Sequence, residues 1–325
     1  MKAIIQDRYG APDVLRLDDI DRPAPGDGEV LVRVHAASLN ARDWHTLRGD
    51  PYLARASLGL RRPKSRIPGT DFAGRVEAAG PAVTRFSPGD EVFGEIEGAF
   101  AEYVRVPEAL LEPKPATLTF EQAAALPLAA NTALMGLRDV ARVRAGHRVL
   151  INGASGGVGT FAVQLAKAYG AHVTAVCSTR NLDLVRSLGA DQVIDYTRDD
   201  FTRGPDRYDV VFDLVGNHSL TACRRVLTPA GTLVLSGGGV FTGGSVLGPI
   251  GLIVRGQLAS RFVKQRVLPL TAKPSRANLA TLRELAEAGA LVPVIDRTLP
   301  LSETAEAIRY LEQDHATAKV ILTVG

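Results

Sequence analysis

Hydrophobic and polar positions change period part-way along the chain. After the turn-rich segment PAPGDGE, Val30, Val32, Val34 and Ala36 alternate with Leu31, Arg33 and His35, the period-2 pattern of a half-buried strand. Gly74 to Ala79, Glu91 to Phe93 and Ala101 to Val106 repeat it between Gly, Pro and Asp boundaries, and together predict an irregular barrel or sandwich. Thr119 and Gln122 stand at capping-box spacing before an alanine-rich stretch, so a helix begins there and is interrupted near Pro127. From 147 onward the apolar runs Arg148 to Ile151, Val173 to Val176, Gln192 to Ile194, Val210 to Asp213 and Thr232 to Leu235 read as strands, several of them buried on both faces. Val158, Phe161, Ala162, Leu165 and Tyr169 share one helical face, and Gly170 follows as a C-cap. This alternation predicts a doubly wound parallel sheet. Two helices, Ser275 to Ala288 and Ser302 to Gln313, and a last strand, Lys319 to Val324, complete the pattern.

Composition sets the outer limits. The 325 residues allow about two domains. Thirty-eight basic against 35 acidic side chains leave a net charge of +3, which argues against a nucleic-acid coat and against an acidic tail. No apolar run reaches the ~20 residues that span a bilayer, and MKAIIQDRYG turns charged too soon for a secretory signal. The expectation is a cytoplasmic protein without stable membrane insertion. Cys177 and Cys223 are too few for a disulfide framework or a four-Cys zinc lobe, and the six histidines form no HExxH pair, so no metal site is expected.

The most informative segment is VLINGASGGVGTFAVQLAKAYGA. Ala154, Gly156 and Gly159 form A-x-G-x-x-G between a predicted strand and helix, and the loop Ala154, Ser155, Gly156, Gly157, Val158 and Gly159 is the expected pyrophosphate cradle. Small residues are needed there because the anion must approach backbone N–H groups at a helix N-terminus. A tight turn without ligand is the alternative, disfavoured by the βαβ spacing around it. The second strand ends in Cys177, Ser178, Thr179 and Arg180 instead of the Asp or Glu that holds ribose hydroxyls in NAD sites. Ser178, Thr179 and Arg180 could donate to a 2′-phosphate, so NADPH is expected over NADH.

Together with this segment nine others, among them SLNARDWHTLRG, IPGTDFAGRVEAAG, AAALPLAANTALMGL, YDVVFDLVG and AKVILTV, run collinear with a known family. The chain resembles zinc-independent members of the medium-chain dehydrogenase/reductase superfamily, in the quinone oxidoreductase-like branch. The resemblance implies an α/β protein with a GroES-like β-rich catalytic domain, residues 1–121 with 273–325, and a Rossmann NADP-binding domain, residues 122–272. It places the active site in the cleft of these two and implies a homodimer. Zinc-containing relatives carry a Cys and a Gly-His-Glu triplet where this sequence has Asn40-Ala41-Arg42-Asp43 and Gly69-Thr70-Asp71, so zinc is not expected. The implied reaction is hydride transfer from NADPH to a quinone or an α,β-unsaturated carbonyl, small-molecule acceptors that tolerate weak electrophilic help. A trans-2-enoyl thioester reductase, or a nucleotide-binding partner or sensor protein with little turnover, stands as the alternative.

Carried over by position, Asn40 and Tyr52 are the catalytic candidates: Tyr52 either polarises the acceptor oxygen, relays a proton or is a cleft-wall aromatic, and Asn40 either lines the pocket or tethers a loop backbone. Asn40, Thr132, Tyr196, Gly237, Gly238, Phe241 and Lys319 are further candidate cofactor contacts. A 2′-phosphate lysine of many relatives is Asn181 here, leaving Arg180 to substitute. LARASLGLRRPKSR adds Arg55, Arg61, Arg62, Lys64 and Arg66 in an extended loop. That loop either draws an anionic substrate or an anionic membrane surface, or is simply solvated. The glycine-rich apolar stretch from Gly237 to Arg261 is expected to wall the substrate site or to contribute to a dimer surface.

Overall fold

A computed structural model of the protein describes residues 1–236, 264–313 and 316–325; Gly237, Gly238, Phe241 and the rest of the glycine-rich stretch to 263 lie outside the described residues. The chain forms two compact units, Met1–Asn131 with Lys273–Gly325, and Thr132–Ala272.

In the first unit, β1 (Lys2–Ile5) and β2 (Arg16–Asp19) form an antiparallel pair. The main sheet joins β3 (Glu29–Ser38), β4 (Asp71–Ala79), β5 (Glu91–Glu95), β6 (Tyr103–Pro107) and β7 (Leu111–Pro113). It is completed by β14 (Ile295–Pro300) and β15 (Lys319–Thr323) in the order β14-β15-β3-β4-β5-β7, with β6 also on β3. Val30, Val32 and Val34 are buried as their alternation requires, but Leu31 is buried too. The outward face of β3 is partly covered: α3 (Phe120–Ala124) packs on β3 and β4, and His35 stacks on Phe120 with ring centroids 4.4 Å apart. Thr119 caps α3 through the expected capping box with Gln122, and α4 starts at Pro127 (Pro127–Leu134).

The first boundary falls at Asn131/Thr132 instead of 121/122 because α3 and the start of α4 belong physically to the first unit. Leu128 N–H donates to Asp71, and the Asn131 amide donates to Lys273 O and accepts from Asn278.

The second unit is built on β8 (Arg148–Asn152), β9 (His172–Cys177), β10 (Gln192–Asp195), β11 (Tyr208–Asp213), β12 (Leu227–Leu235) and β13 (Arg266–Pro269). All pair in parallel in the order β10-β9-β8-β11-β12-β13, the doubly wound order 3-2-1-4-5-6. Val149, Leu150 and Ile151 are fully buried in succession, as a strand covered on both faces demands. α5 (Gly157–Ala168) follows β8, and α6 (Leu182–Ser187) and α7 (Leu220–Arg225) follow β9 and β11. Phe161, Ala162 and Leu165 of α5 are fully buried, and Gly170 follows the helix with φ +75°.

Candidate active site

The β8 to α5 turn has the shape an anionic cofactor needs. Gly156 is the N-cap of α5 and no side chain caps the helix, so its first N–H groups and the positive end of its dipole face outward. A Cβ on Gly156 would meet only Gly153 O at 3.5 Å, leaving the approach open, whereas one on Gly159 would stand 2.1 Å from Gly153 O. Gly159 therefore lets the helix close on the strand, and Gly156 lets a ligand close on the helix. The residues present fit a dinucleotide pyrophosphate.

Beside this turn, Asn181 donates to Ser155 Oγ at 3.0 Å and to Ser178 Oγ at 3.4 Å, binding the glycine turn to the end of β9. It acts as a brace between these two segments. Arg180 and Thr179 are exposed and Ser178 is half-buried. The β9–β10 register pairs Cys177 with Asp195, so a carboxylate does stand at this corner although the second strand ends without one. Asp195 accepts from Thr179 Oγ1 at 2.5 Å and from the N–H and hydroxyl of Thr197. These bonds, with Thr179 foremost, hold its carboxyl below the usual range. Thr179 is thus already engaged with Asp195. Tyr196 follows with its ring half-exposed, and its backbone N–H donates to Cys177 O. Thr132 lies buried in α4.

At the point where the strand order reverses, Asn152 ends β8 and donates to Asp213 of β11 at 2.9 Å and to Asn217 at 3.0 Å. Asp213 in turn accepts from Val215 and Gly216 N–H. The polar residue closing each apolar run, in INGAS and in VFDLV, was the available sequence signal for this clamp.

In the first unit, strand register assembles a buried charged cluster. Ser38 pairs with both Ile321 and Asp71, and Asp71 pairs with Glu95. Lys319, first in β15, is therefore set beside the end of β3. Its Nζ donates to Asn40 Oδ1 at 2.6 Å and Leu39 O at 2.9 Å, and stands 3.9 Å from Asp71. Asn40 Nδ2 donates to Asp71 at 3.0 Å, and Asp43 accepts from Asn40 N–H at the start of α1 (Ala41–Arg48). Both ends of the Asn40 amide are thereby committed within the cluster. Burial pushes Asp43 up to about 7 and Glu95 up to about 8, and raises Asp71 against the opposing Lys319. The same burial pulls Lys319 below its ordinary value, opposed by the three carboxyls. Glu95 Oε1 and Ser38 Oγ are buried without a hydrogen-bond partner. Tyr52 stands apart, 47% exposed, with the Arg55 guanidinium 4.7 Å from its ring centroid.

Comparison with known proteins agrees with this architecture. Residues 26–116 match the family described as alcohol dehydrogenase GroES-like domain, and residues 188–322 the family described as zinc-binding dehydrogenase. The chain is 37% identical to the chloroplastic NADPH-dependent alkenal/one oxidoreductase of Arabidopsis thaliana, over 99% of this chain and 79% of that one. It is 35% identical to the chloroplastic quinone-oxidoreductase homolog of Spinacia oleracea, over 99% and 98%. The solved quinone oxidoreductase of Coxiella burnetii superposes with a TM-score of 0.87 at 33% identity, covering 100% of this chain and 99% of that one. The chain belongs to the medium-chain dehydrogenase/reductase superfamily, in its quinone oxidoreductase-like branch.

The zinc named for one matching family finds an unsuitable donor set here. In the segments that the resemblance sets against the zinc ligands, Asn40–Asp43 and Gly69–Asp71, the Lys319 ammonium already occupies the Asn40 oxygen and faces Asp71. A fixed cation among neutral or shared donors opposes a second, divalent one. Among the described residues no group of three His, Cys, Asp or Glu side chains could hold a metal, and no helix is long and apolar enough to cross a membrane. Asp43 caps α1, whereas Glu95 was not among the residues the sequence singled out. Glu95 enters only through strand pairing.

Proposed function

We propose that this chain is a zinc-independent, NADPH-dependent oxidoreductase that reduces quinones or α,β-unsaturated carbonyls. The observation that carries the reading is the uncapped N-terminus of α5 behind Gly156, a built anion site in the second unit. NADPH, when bound, supplies the hydride. Backbone N–H groups of the 154–159 loop hold its pyrophosphate, and Arg180 with Ser178 holds the 2′-phosphate. Thr132, Tyr196, Gly237, Gly238 and Phe241 complete the proposed cofactor contacts.

Lys319 and Asp71 fix Asn40 in the first unit, which we assign as the catalytic unit. In this reading Asn40 and Lys319 act as positioning residues at the acceptor end. Tyr52 donates a hydrogen bond to the acceptor oxygen as negative charge develops on it, and the second hydrogen of the product comes from solvent as a proton. A cytoplasmic homodimer belongs to the same proposal. The outer edge of β13, which pairs with no described strand, supports pairing of two sheets.

Chelator-treated protein assayed for NADPH and NADH oxidation against quinones, enals, enones and enoyl thioesters tests the reading. NADPH-preferring turnover of quinones or enones, unchanged by chelation, is the expected result. Loss of turnover on chelation refutes zinc independence, and NADH preference refutes the phosphate assignment. Tight cofactor binding with no acceptor reduced refutes the enzymatic reading itself, and sedimentation velocity reads the dimer.

A further inference from the structure

The segment from Tyr52 to Arg66 is anchored at its base and leaves an apolar and cationic tip in solvent. Arg55 donates to Gly49 O at 2.9 Å and Arg48 O at 3.2 Å, and its guanidinium lies over the rings of Tyr9 and Tyr52. Tyr9 Oη donates to Gly59 O at 2.6 Å, and Lys64 N–H to Leu58 O at 2.8 Å. Gly59 has φ +122°, and a Cβ there would stand 2.1 Å from Arg62 O, so this turn is available only to glycine. Pro63 is buried, and Arg66 pairs with Asp7 at 2.8 Å.

These anchors consume Arg55 and Arg66 and leave Leu53, Leu60, Arg61, Arg62 and Lys64 exposed. Leu60 is 76% exposed and Leu53 50% exposed. With Tyr52 they make three of the six large apolar side chains that stand exposed among the described residues, gathered in nine residues of sequence. Arg61, Arg62 and Lys64 are exposed beside them, and none has a carboxylate within ion-pair distance among the described residues. An isolated surface leucine needs no explanation, but Leu60, held outward by a built turn beside cations with no ion-pair partner among the described residues, marks an interaction surface.

We propose that this tip binds the surface of an anionic lipid membrane, with Leu53 and Leu60 entering the headgroup boundary and Arg61, Arg62 and Lys64 meeting lipid phosphates. Charge complementarity selects an anionic partner. The leucines select a lipid surface over a nucleic acid or a free anion, which would pair with the cations and leave Leu53 and Leu60 in water. The attachment is peripheral and independent of the reaction proposed above, since none of these five side chains is assigned to it.

The full chain is sedimented with vesicles of phosphatidylcholine alone and of phosphatidylcholine mixed with phosphatidylglycerol. Binding is expected only to the anionic vesicles, with release as salt rises from about 50 to about 500 mM. Each cation near such a surface is worth about fivefold in partitioning, so R61Q/R62Q/K64Q should weaken binding on the order of a hundredfold. L60S should weaken it about tenfold. Both variants should keep the wild-type Trp44 emission and the wild-type rate with a water-soluble acceptor. No binding to anionic vesicles, or unchanged binding by the triple variant, overturns the proposal. So does competition by double-stranded DNA that L60S leaves unaltered, which would make the tip a polyanion site. Self-association lost in L60S without vesicle binding would instead make it a contact between copies and equally overturn the proposal.

Discussion

Replacing Lys319 by Met removes the one ammonium from a cluster in which Lys319 and Asp71 are 2% and 0% exposed. At 3.9 Å and an effective dielectric of about 20, the lost attraction is about 4 kcal/mol. That figure agrees with the roughly 3–5 kcal/mol for breaking a buried pair by removing one partner. The substitution also leaves Leu39 O and Asn40 Oδ1 without their donor. Trp44, the single tryptophan, lies in α1 of the same unit, so its fluorescence during urea unfolding reports on the right part of the chain. Lys319→Met should cost about 4 kcal/mol near neutral pH. Asp71→Asn, which strands the ammonium instead, should cost a similar amount. The double variant should cost well under the sum, with a coupling of at least about 2 kcal/mol. The Lys319→Met deficit should also shrink toward acid, because a buried Asp71 without its cation binds a proton in the folded state more readily than in the unfolded one. Additive losses, within about 0.5 kcal/mol, would refute the claim that the two groups act as a pair.

Glu95→Gln tests the unpartnered carboxyl: a pKa raised from 4.5 to about 8 means that the folded state holds the proton, so wild-type stability falls as pH rises through that window. The variant should match wild type near pH 5 and exceed it above about pH 8 by a few kcal/mol, and parallel pH profiles in urea unfolding would contradict this. Arg180→Ala should lower kcat/KM for NADPH about tenfold to a hundredfold and change that for NADH less than about threefold, since a charge-assisted bond to phosphate contributes roughly 1.5–3 kcal/mol. Gly159→Ala drives a Cβ to 2.1 Å from Gly153 O and should abolish tight NADPH binding in calorimetry while the first unit unfolds at the wild-type urea concentration.

What the sequence determined was everything carried by local pattern. Near-continuous apolar runs specify strands buried on both faces, and the glycine turn between strand and helix specifies an uncapped, open helix N-terminus, because backbone geometry and dipole follow from neighbouring residues. Thr119 with Gln122 likewise defines its own helix start. Tertiary structure alone decided which distant residues share a volume. Asp195 reached the corner of Thr179 through parallel register, and Asp71, Glu95 and Lys319 met Asn40 because β4, β5 and β15 align their ends on β3. It also decided that α3 and the start of α4 belong to the first unit, through bonds such as Leu128 N–H to Asp71. Those pairings depend on loop closure and on burial of the whole sheet, quantities that no window of sequence contains. The same charged residue can therefore be a solvated surface group or a buried ion, and only the fold decides which.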